Sequence, residues 1–131
     1  MVVDASALVS IMLGEPDADD LLQRLSRYRA PVMIPIGIYE TALAVMRVKR
    51  CDAGVAHALV SDTLDALGIE VMSIGPAHAQ AAVAAFGRFE KGRHAAELNM
   101  GDCFAYACAL VSGGPLLCKG DDFSRTDAIA A

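Results

Sequence analysis

Carboxylates recur along this chain at places where apolar packing would be expected. Asp4 follows Met-Val-Val, and Glu40 interrupts Ile-Gly-Ile-Tyr-Glu-Thr-Ala-Leu. Asp102 sits in Asn-Met-Gly-Asp-Cys-Phe-Ala-Tyr, and Asp121 and Asp122 close Leu-Leu-Cys-Lys-Gly-Asp-Asp-Phe. A carboxylate in an apolar setting is costly unless its charge is compensated. Several converging on one point would repel each other and raise each other's pKa. A hard divalent cation removes both penalties, because oxygen ligands are what Mg²⁺ or Mn²⁺ prefers. The leading expectation is a carboxylate metal site in a small α/β domain.

Each acid also has a plainer reading. Asp4 is well suited to cap a helix beginning at Ala5. Asp102 stands three residues after Asn99, in the arrangement of a capping box, and a first-turn carboxylate suits the helix dipole. Asp121 and Asp122 follow a glycine in a turn, where aspartate is common. Glu40 shares a helix face with Ile36, Leu43 and Ala44, so its structural alternative is a buried pairing with a base such as Arg47. The functional reading rests on the acids together, not on any one of them.

The elements that must position them alternate. Met1 to Val3 reads as a strand, followed by a helix from Ala5 to Leu13. Pro16 opens a second helix running to about Tyr28, and Val32 to Ile34 is a second strand. Helices follow from about Ile36 to Val48 and from Asp52 to near Gly68. Ile69 to Ser73 reads as a third strand and Pro76 to about Glu90 as an alanine-rich helix. After a polar loop come a helix from Gly101 to Val111, a fourth strand from Leu116 to Cys118 and a short fifth from Ala128 to Ala130. Strands alternating with helices imply a parallel sheet covered on both faces. In such sheets the ligand site lies beyond the carboxyl ends of the strands, where all these acids fall.

The bulk numbers bound the rest. The 131 residues, 55% of them hydrophobic, suit one domain over residues 1–131 with a real core. The formal net charge of −5 excludes a generic nucleic-acid binder, so any such contact is local or helped by a metal. The four cysteines form no Cys-x-x-Cys pair, which disfavours a zinc site; reduced thiols are the expectation, and three of the four lie in apolar contexts and read as small buried residues. The apolar start carries Asp4 and no basic residues, unlike a signal peptide, and no apolar run is long enough for a membrane. A cytoplasmic location follows as the expectation. Gly87 to Arg93 imitates a phosphate loop, but it lacks the Lys-Ser/Thr ending and follows a helix.

These residues, in this order, resemble the PIN domain, and specifically a VapC-type toxin ribonuclease, along essentially the whole chain. Val-Val-Asp-Ala-Ser-Ala-Leu matches the family's first acid and its small hydroxyl residue, here Ser6. Tyr-Glu-Thr-Ala matches the second acid, Glu40. Gly-Arg-His, followed by Leu-Asn-Met-Gly-Asp-Cys-Phe-Ala-Tyr-Ala, resembles one branch of the family, with Asp102 as the third acid. Leu-Leu-Cys-Lys-Gly-Asp-Asp-Phe-Ser-Arg-Thr-Asp-Ala-Ile resembles that branch's ending. Many members place a fourth acid two residues after a Thr or Ser that ends the strand. Here that slot is Gly120, so Asp122, directly before Phe123, is the favoured fourth acid, with Asp121 and Asp127 as alternatives.

The resemblance implies a three-layer α/β/α fold with a short parallel sheet of four to five strands. It implies a metal-dependent endoribonuclease, using Mg²⁺ or Mn²⁺, that hydrolyses RNA. It implies a VapB-like antitoxin partner and a homodimer formed through helices of the amino-terminal half. Asp4, Glu40, Asp102 and Asp122 would be catalytic, with Asp4 and Asp102 as the innermost metal ligands and Ser6 and Asp121 in support. The expected RNA contacts are Arg93, His94, Lys119 and Arg125, with Arg88 and Lys91 as further candidates. Two rivals remain. An aspartate phosphoacceptor would use Asp4, but its Asp-x-Asp pattern meets Ser6. A non-catalytic binding module of the same fold would capture an antitoxin peptide without cleaving RNA.

Overall fold

A computed structural model describes residues 1–89, 95–121 and 123–131. The elements follow the order β1 (Val2–Val3), α1 (Ala5–Leu13), α2 (Ala18–Leu25), β2 (Val32–Met33), α3 (Pro35–Lys49), α4 (Ala53–Leu67), β3 (Glu70–Val71), α5 (Pro76–Phe89), α6 (Met100–Ser112) and β4 (Leu116–Leu117). A 3₁₀ turn spans Phe123–Arg125. The sheet order is β3-β2-β1-β4, and every pairing is parallel. The register sets Val2 opposite Val32 on one side and Leu116 on the other.

The strands are only two residues long, yet they divide the core cleanly. Adjacent residues of a strand point to opposite faces. Val2 and Leu116 therefore join Ala85, Phe89, Leu98 and Tyr106 beneath α5 and α6. Val3, Met33 and Leu117 join Leu8, Leu21, Val45, Val60 and Leu64 beneath α1 to α4. A sheet buried on both faces needs apolar residues at consecutive strand positions, as Val2-Val3 and Leu116-Leu117 supply. The three-layer α/β/α expectation is met with four strands.

Two expectations need correction. The fifth strand over Ala128 to Ala130 is not formed, and a single parallel bridge joins Leu116 to Ala130. Three small or exposed residues next to the turns of Asp127 give no second pair to extend the ladder. The second helix is also shorter than Pro16 to Tyr28, running Ala18–Leu25 with its apolar side at Leu21 and Leu25. Among the described residues no helix is long and apolar enough to cross a membrane.

β1 lies between β2 and β4, so the chain leaves it in one direction for β2 and β3 and later returns to its other side. This reversal of strand order opens a crevice at the carboxyl ends of β1 and β4. Asp4 stands at its floor, its backbone N–H donating to Leu117 O at 2.9 Å.

Candidate functional site

Asp4 is only 5% exposed, in keeping with an acid that follows a buried strand. Its Oδ2 accepts two hydrogen bonds from Ser6, from the backbone N–H at 2.9 Å and from Oγ–H at 2.5 Å. The first makes Asp4 the N-cap of α1, so the capping expectation holds. The second has a further consequence. Ser6 Oγ in turn accepts the backbone N–H of Lys119 at 3.0 Å, across the crevice from β4. One serine thus fixes the Asp4 carboxylate and ties it to the segment after β4.

Asp102 reaches the same end of the sheet from α6. Asn99 caps that helix, accepting the Asp102 N–H at 3.1 Å, while Asn99 N–H donates to Asp102 Oδ2 at 2.8 Å. The reciprocal pair is the capping box anticipated from the spacing. It holds Asp102 by its backbone and by one oxygen. The next residue, Cys103, is buried, and burial together with the Asp102 charge pushes its thiol up to about 11.

Glu40 completes the group from α3. Its carboxyl is pushed up to about 7, first by burial and then by the charges of Asp4 and Asp102. Among the described residues no base pairs with it, so the anticipated structural alternative with Arg47 is not realised. Glu40 lies over the first turn of α6, against Gly101, and both α3 and α6 pack together there. Thr41, fully buried beside it, donates its Oγ–H to Gly37 O at 2.8 Å.

Acids from three distant stretches of sequence therefore meet within electrostatic reach. Among the described residues no group of three or more acids, cysteines or histidines is placed to hold an ion. The donor set nevertheless fits Mg²⁺ or Mn²⁺, since Mg²⁺ takes one or two carboxylates directly and keeps several waters. A carboxyl raised by two neighbouring anions is what a bound cation would relieve.

Gly120 stands at the slot where the resemblance sets an acid. Its φ of +81° is a left-handed conformation, strained for a β-branched residue. That conformation suits the glycine found there, and the acids that follow in sequence are Asp121 and Asp122. Asp121 is exposed, and its carbonyl accepts from Ser124 N–H at 3.0 Å and from Ser124 Oγ–H at 2.6 Å. Asp122 lies outside the described residues. Asp127 is committed elsewhere: Tyr106 and Arg88 both bond its carboxylate and hold its pKa below the usual range.

The basic candidates are less free than the sequence suggests. Lys119 Nζ is bound by the carboxylates of Glu15 and, at 3.5 Å, Asp17. Arg125 Nη1 donates to Ala95 O at 2.7 Å. Arg88 stacks on the Phe89 ring, 4.6 Å from its centroid, besides bonding Asp127. Lys91, Arg93 and His94 lie outside the described residues. Sequence reading missed Glu15 and Asp17 as the partners of Lys119 and missed Gly101 as the seat of Glu40. Neither has a local signal, because each depends on a helix distant in sequence.

With the geometry in place, the relatives can be compared. A PIN-domain family model matches residues 1–129. Ribonuclease VapC30 of Mycobacterium tuberculosis is 38% identical over 127 residues, 97% of this chain and 95% of its own. Ribonuclease VapC of Mycolicibacterium smegmatis is 39% identical over 130 residues, covering 99% of this chain and 98% of its own. A solved toxin–antitoxin complex from Klebsiella pneumoniae contains a chain with the same fold, at a TM-score of 0.70 and 16% identity, covering 99% of this chain and 95% of that one. The chain belongs to the PIN-domain family and stands, within it, with the VapC ribonucleases that it matches along nearly its whole length.

Proposed function

We propose that this protein is a VapC-type endoribonuclease toxin that hydrolyses RNA phosphodiester bonds with a divalent ion and is neutralised by a VapB-like antitoxin. The observation that carries the reading is the convergence of Asp4, Glu40 and Asp102, from three distant stretches of a PIN-domain chain, within electrostatic reach of one another. A fold that gathered three acids without use for them would have to tolerate their repulsion.

Asp4 and Asp102 are the residues that would hold Mg²⁺ or Mn²⁺. The ion, when bound, would supply positive charge against the phosphoryl oxygens and lower the pKa of water. Ser6 keeps Asp4 in one orientation through its two hydrogen bonds. Asn99 does the same for Asp102. Glu40, on the same face of the site, is proposed to orient the attacking water and take its proton. The water oxygen bonds to phosphorus as the bond to O3′ breaks, giving a 5′-phosphate and a 3′-hydroxyl. Asp122 is the proposed fourth acid, with Asp121 in support.

RNA is an anion approaching an acidic cluster, so cations must rim the site. Arg93 and His94 are proposed for this role, with Lys119 and Arg125 joining once they exchange their present partners for phosphate. Exposed Tyr39 on α3 lines a groove with Pro35, Ile38, Ala42 and Met46, and Val48 on α3 and Val55 on α4 are exposed as well. That apolar surface supports protein partners of this toxin class, an antitoxin peptide and a second copy of the chain.

The deciding assay is RNA cleavage by the purified protein with Mg²⁺ or Mn²⁺, with EDTA, and by the Asp4→Asn variant. Loss of cleavage to both EDTA and the substitution supports the proposal. Cleavage that survives both overturns it. Tight antitoxin binding with no metal-dependent cleavage of any RNA favours the non-catalytic module.

A further inference from the structure

We infer that Gly101 is a positioning residue, whose missing side chain provides the seat on which the Glu40 carboxylate rests. A Cβ at Gly101 would stand 2.5 Å from Glu40 Cδ and closer still to both carboxylate oxygens. Real Cβ atoms essentially never approach so near, so the Glu40 carboxylate, the free end of a flexible side chain, would have to move aside. Gly101 is buried and its φ is not in the left-handed range, so the backbone itself does not demand glycine. Position two of a helix is a place where alanine is ordinarily favoured over glycine. The glycine is explained by what lies over it.

No other described glycine has this property. Gly37 would bring a Cβ to 3.3 Å from the flexible Met33 side chain, and Gly54 to 3.3 Å from the Asp52 carboxylate. Gly87 and Gly75 meet nothing within 4 Å. The close approach is confined to the point where α3 crosses the first turn of α6. Its consequence is directional. Glu40 extends from α3 and has no hydrogen-bonded partner among the described residues to fix it. The flat floor at Gly101 lets its carboxylate lie against α6 beside Asp102, one residue on. A methyl group there would lift Glu40 away from Asp4 and Asp102 while leaving Asp102 and its cap untouched.

This deepens the proposed function and its activity arm rests on it, but the seat itself does not. The experiment is a double-mutant cycle between Gly101→Ala and Glu40→Ala, read in two ways. The first is the thermal midpoint in EDTA, which requires no activity. Gly101→Ala should shift the midpoint by different amounts in the two backgrounds, the helix preference for alanine, worth roughly 2–6 °C, being felt in full only once Glu40 is trimmed. An equal shift in both backgrounds overturns the inference. The second is Mn²⁺ affinity by calorimetry and the cleavage rate. Gly101→Ala should weaken both on the order of tenfold in the wild type and change neither in Glu40→Ala. Glu40→Asp, shorter by one methylene, should restore part of the affinity lost to Gly101→Ala, which a merely structural defect would not allow. A wild type that binds no Mn²⁺ would remove the metal reading, and the midpoint cycle would still decide the seat. Gly101→Ala retaining full affinity and rate overturns the positioning role.

Discussion

Asp4 Oδ2 accepts two hydrogen bonds from Ser6, so exchanging the carboxylate for an amide alters charge far more than shape. The amide oxygen of Asp4→Asn can accept the same two bonds and still cap α1. Cleavage should fall on the order of a hundredfold or more, with the thermal midpoint in EDTA nearly unchanged. Unfolding of that variant would show that the carboxylate is structural first. Glu40 gives a pH signature with a definite sign. Its carboxyl is at about 7 in the fold against an ordinary value of 4.5, so the folded state prefers it protonated. The stability this gives is complete below pH 4.5 and is lost as pH rises through about 7. Glu40→Gln, permanently neutral, should be more stable than wild type at pH 8 in EDTA. The gap should be on the order of 1–3 kcal/mol, kept small by the solvent that screens a half-buried group, and it should close at pH 4.5. Midpoints of the two proteins from pH 4.5 to 8 would test this, and parallel curves would sink it. Asp4, Glu40 and Asp102 were readable because each interrupts an apolar stretch. The fate of Lys119 was not, since its partner Glu15 lies 104 residues away and an exposed lysine looks the same in sequence with or without one.

At the level of elements, the most exacting piece is the start of α6, where one turn seats Glu40 at Gly101, presents Asp102 and is closed by Asn99. Asn99→Ala removes the acceptor for the Asp102 N–H and loosens the side chain that bonds back. The expected loss of stability is about 1 kcal/mol, as for other caps, and cleavage should fall by more than that loss of folded protein explains. Asn99→Asp, also a capping residue, should recover the stability. Urea unfolding and cleavage rates measured together check it, and a stability loss with unchanged rate would separate the cap from the site. The helices were legible because their signals are local, from Asp52 and Asn99 at N-caps to Pro35 and Pro76 at first positions. The strands were legible only as centres. Two-residue strands leave no room for alternation to reveal an edge, so Ile69 to Ser73 shrank to Glu70–Val71 and Ala128 to Ala130 to one bridge. What fixes those limits is pairing with a neighbour, which a strand's own residues do not encode.

For the molecule as a whole, the acids join what the chain keeps apart. Asp4 ends β1, Glu40 belongs to α3 and Asp102 to α6, so the α1–α4 layer and the α5–α6 layer face each other across one patch of negative charge. An ion bound there stabilises the fold as any ligand of the native state does, by mass action. At a hundred times its dissociation constant the gain is about 2.7 kcal/mol, which for a chain of this size is roughly 10 °C in the midpoint. Mn²⁺ or Mg²⁺ should therefore raise the wild-type midpoint, and the rise should increase with pH between 5 and 8 as Glu40 gives up its proton. Asp4→Asn and Asp102→Asn should each lose most of that rise, whereas Asp62→Asn, on the outer face of α4, should keep it. A midpoint that climbs equally in all four proteins would mean that the ion binds the general acidic surface of a chain with net charge −5. A rise confined to proteins with both aspartates intact would tie the gain to the crevice, because neither residue alone distinguishes that point from the rest of the surface. Calcium offers a further arm. It accepts more oxygen ligands at longer distances than Mg²⁺, so it should stabilise the fold without supporting cleavage at the same rate, separating the ion's hold on the structure from its part in the reaction.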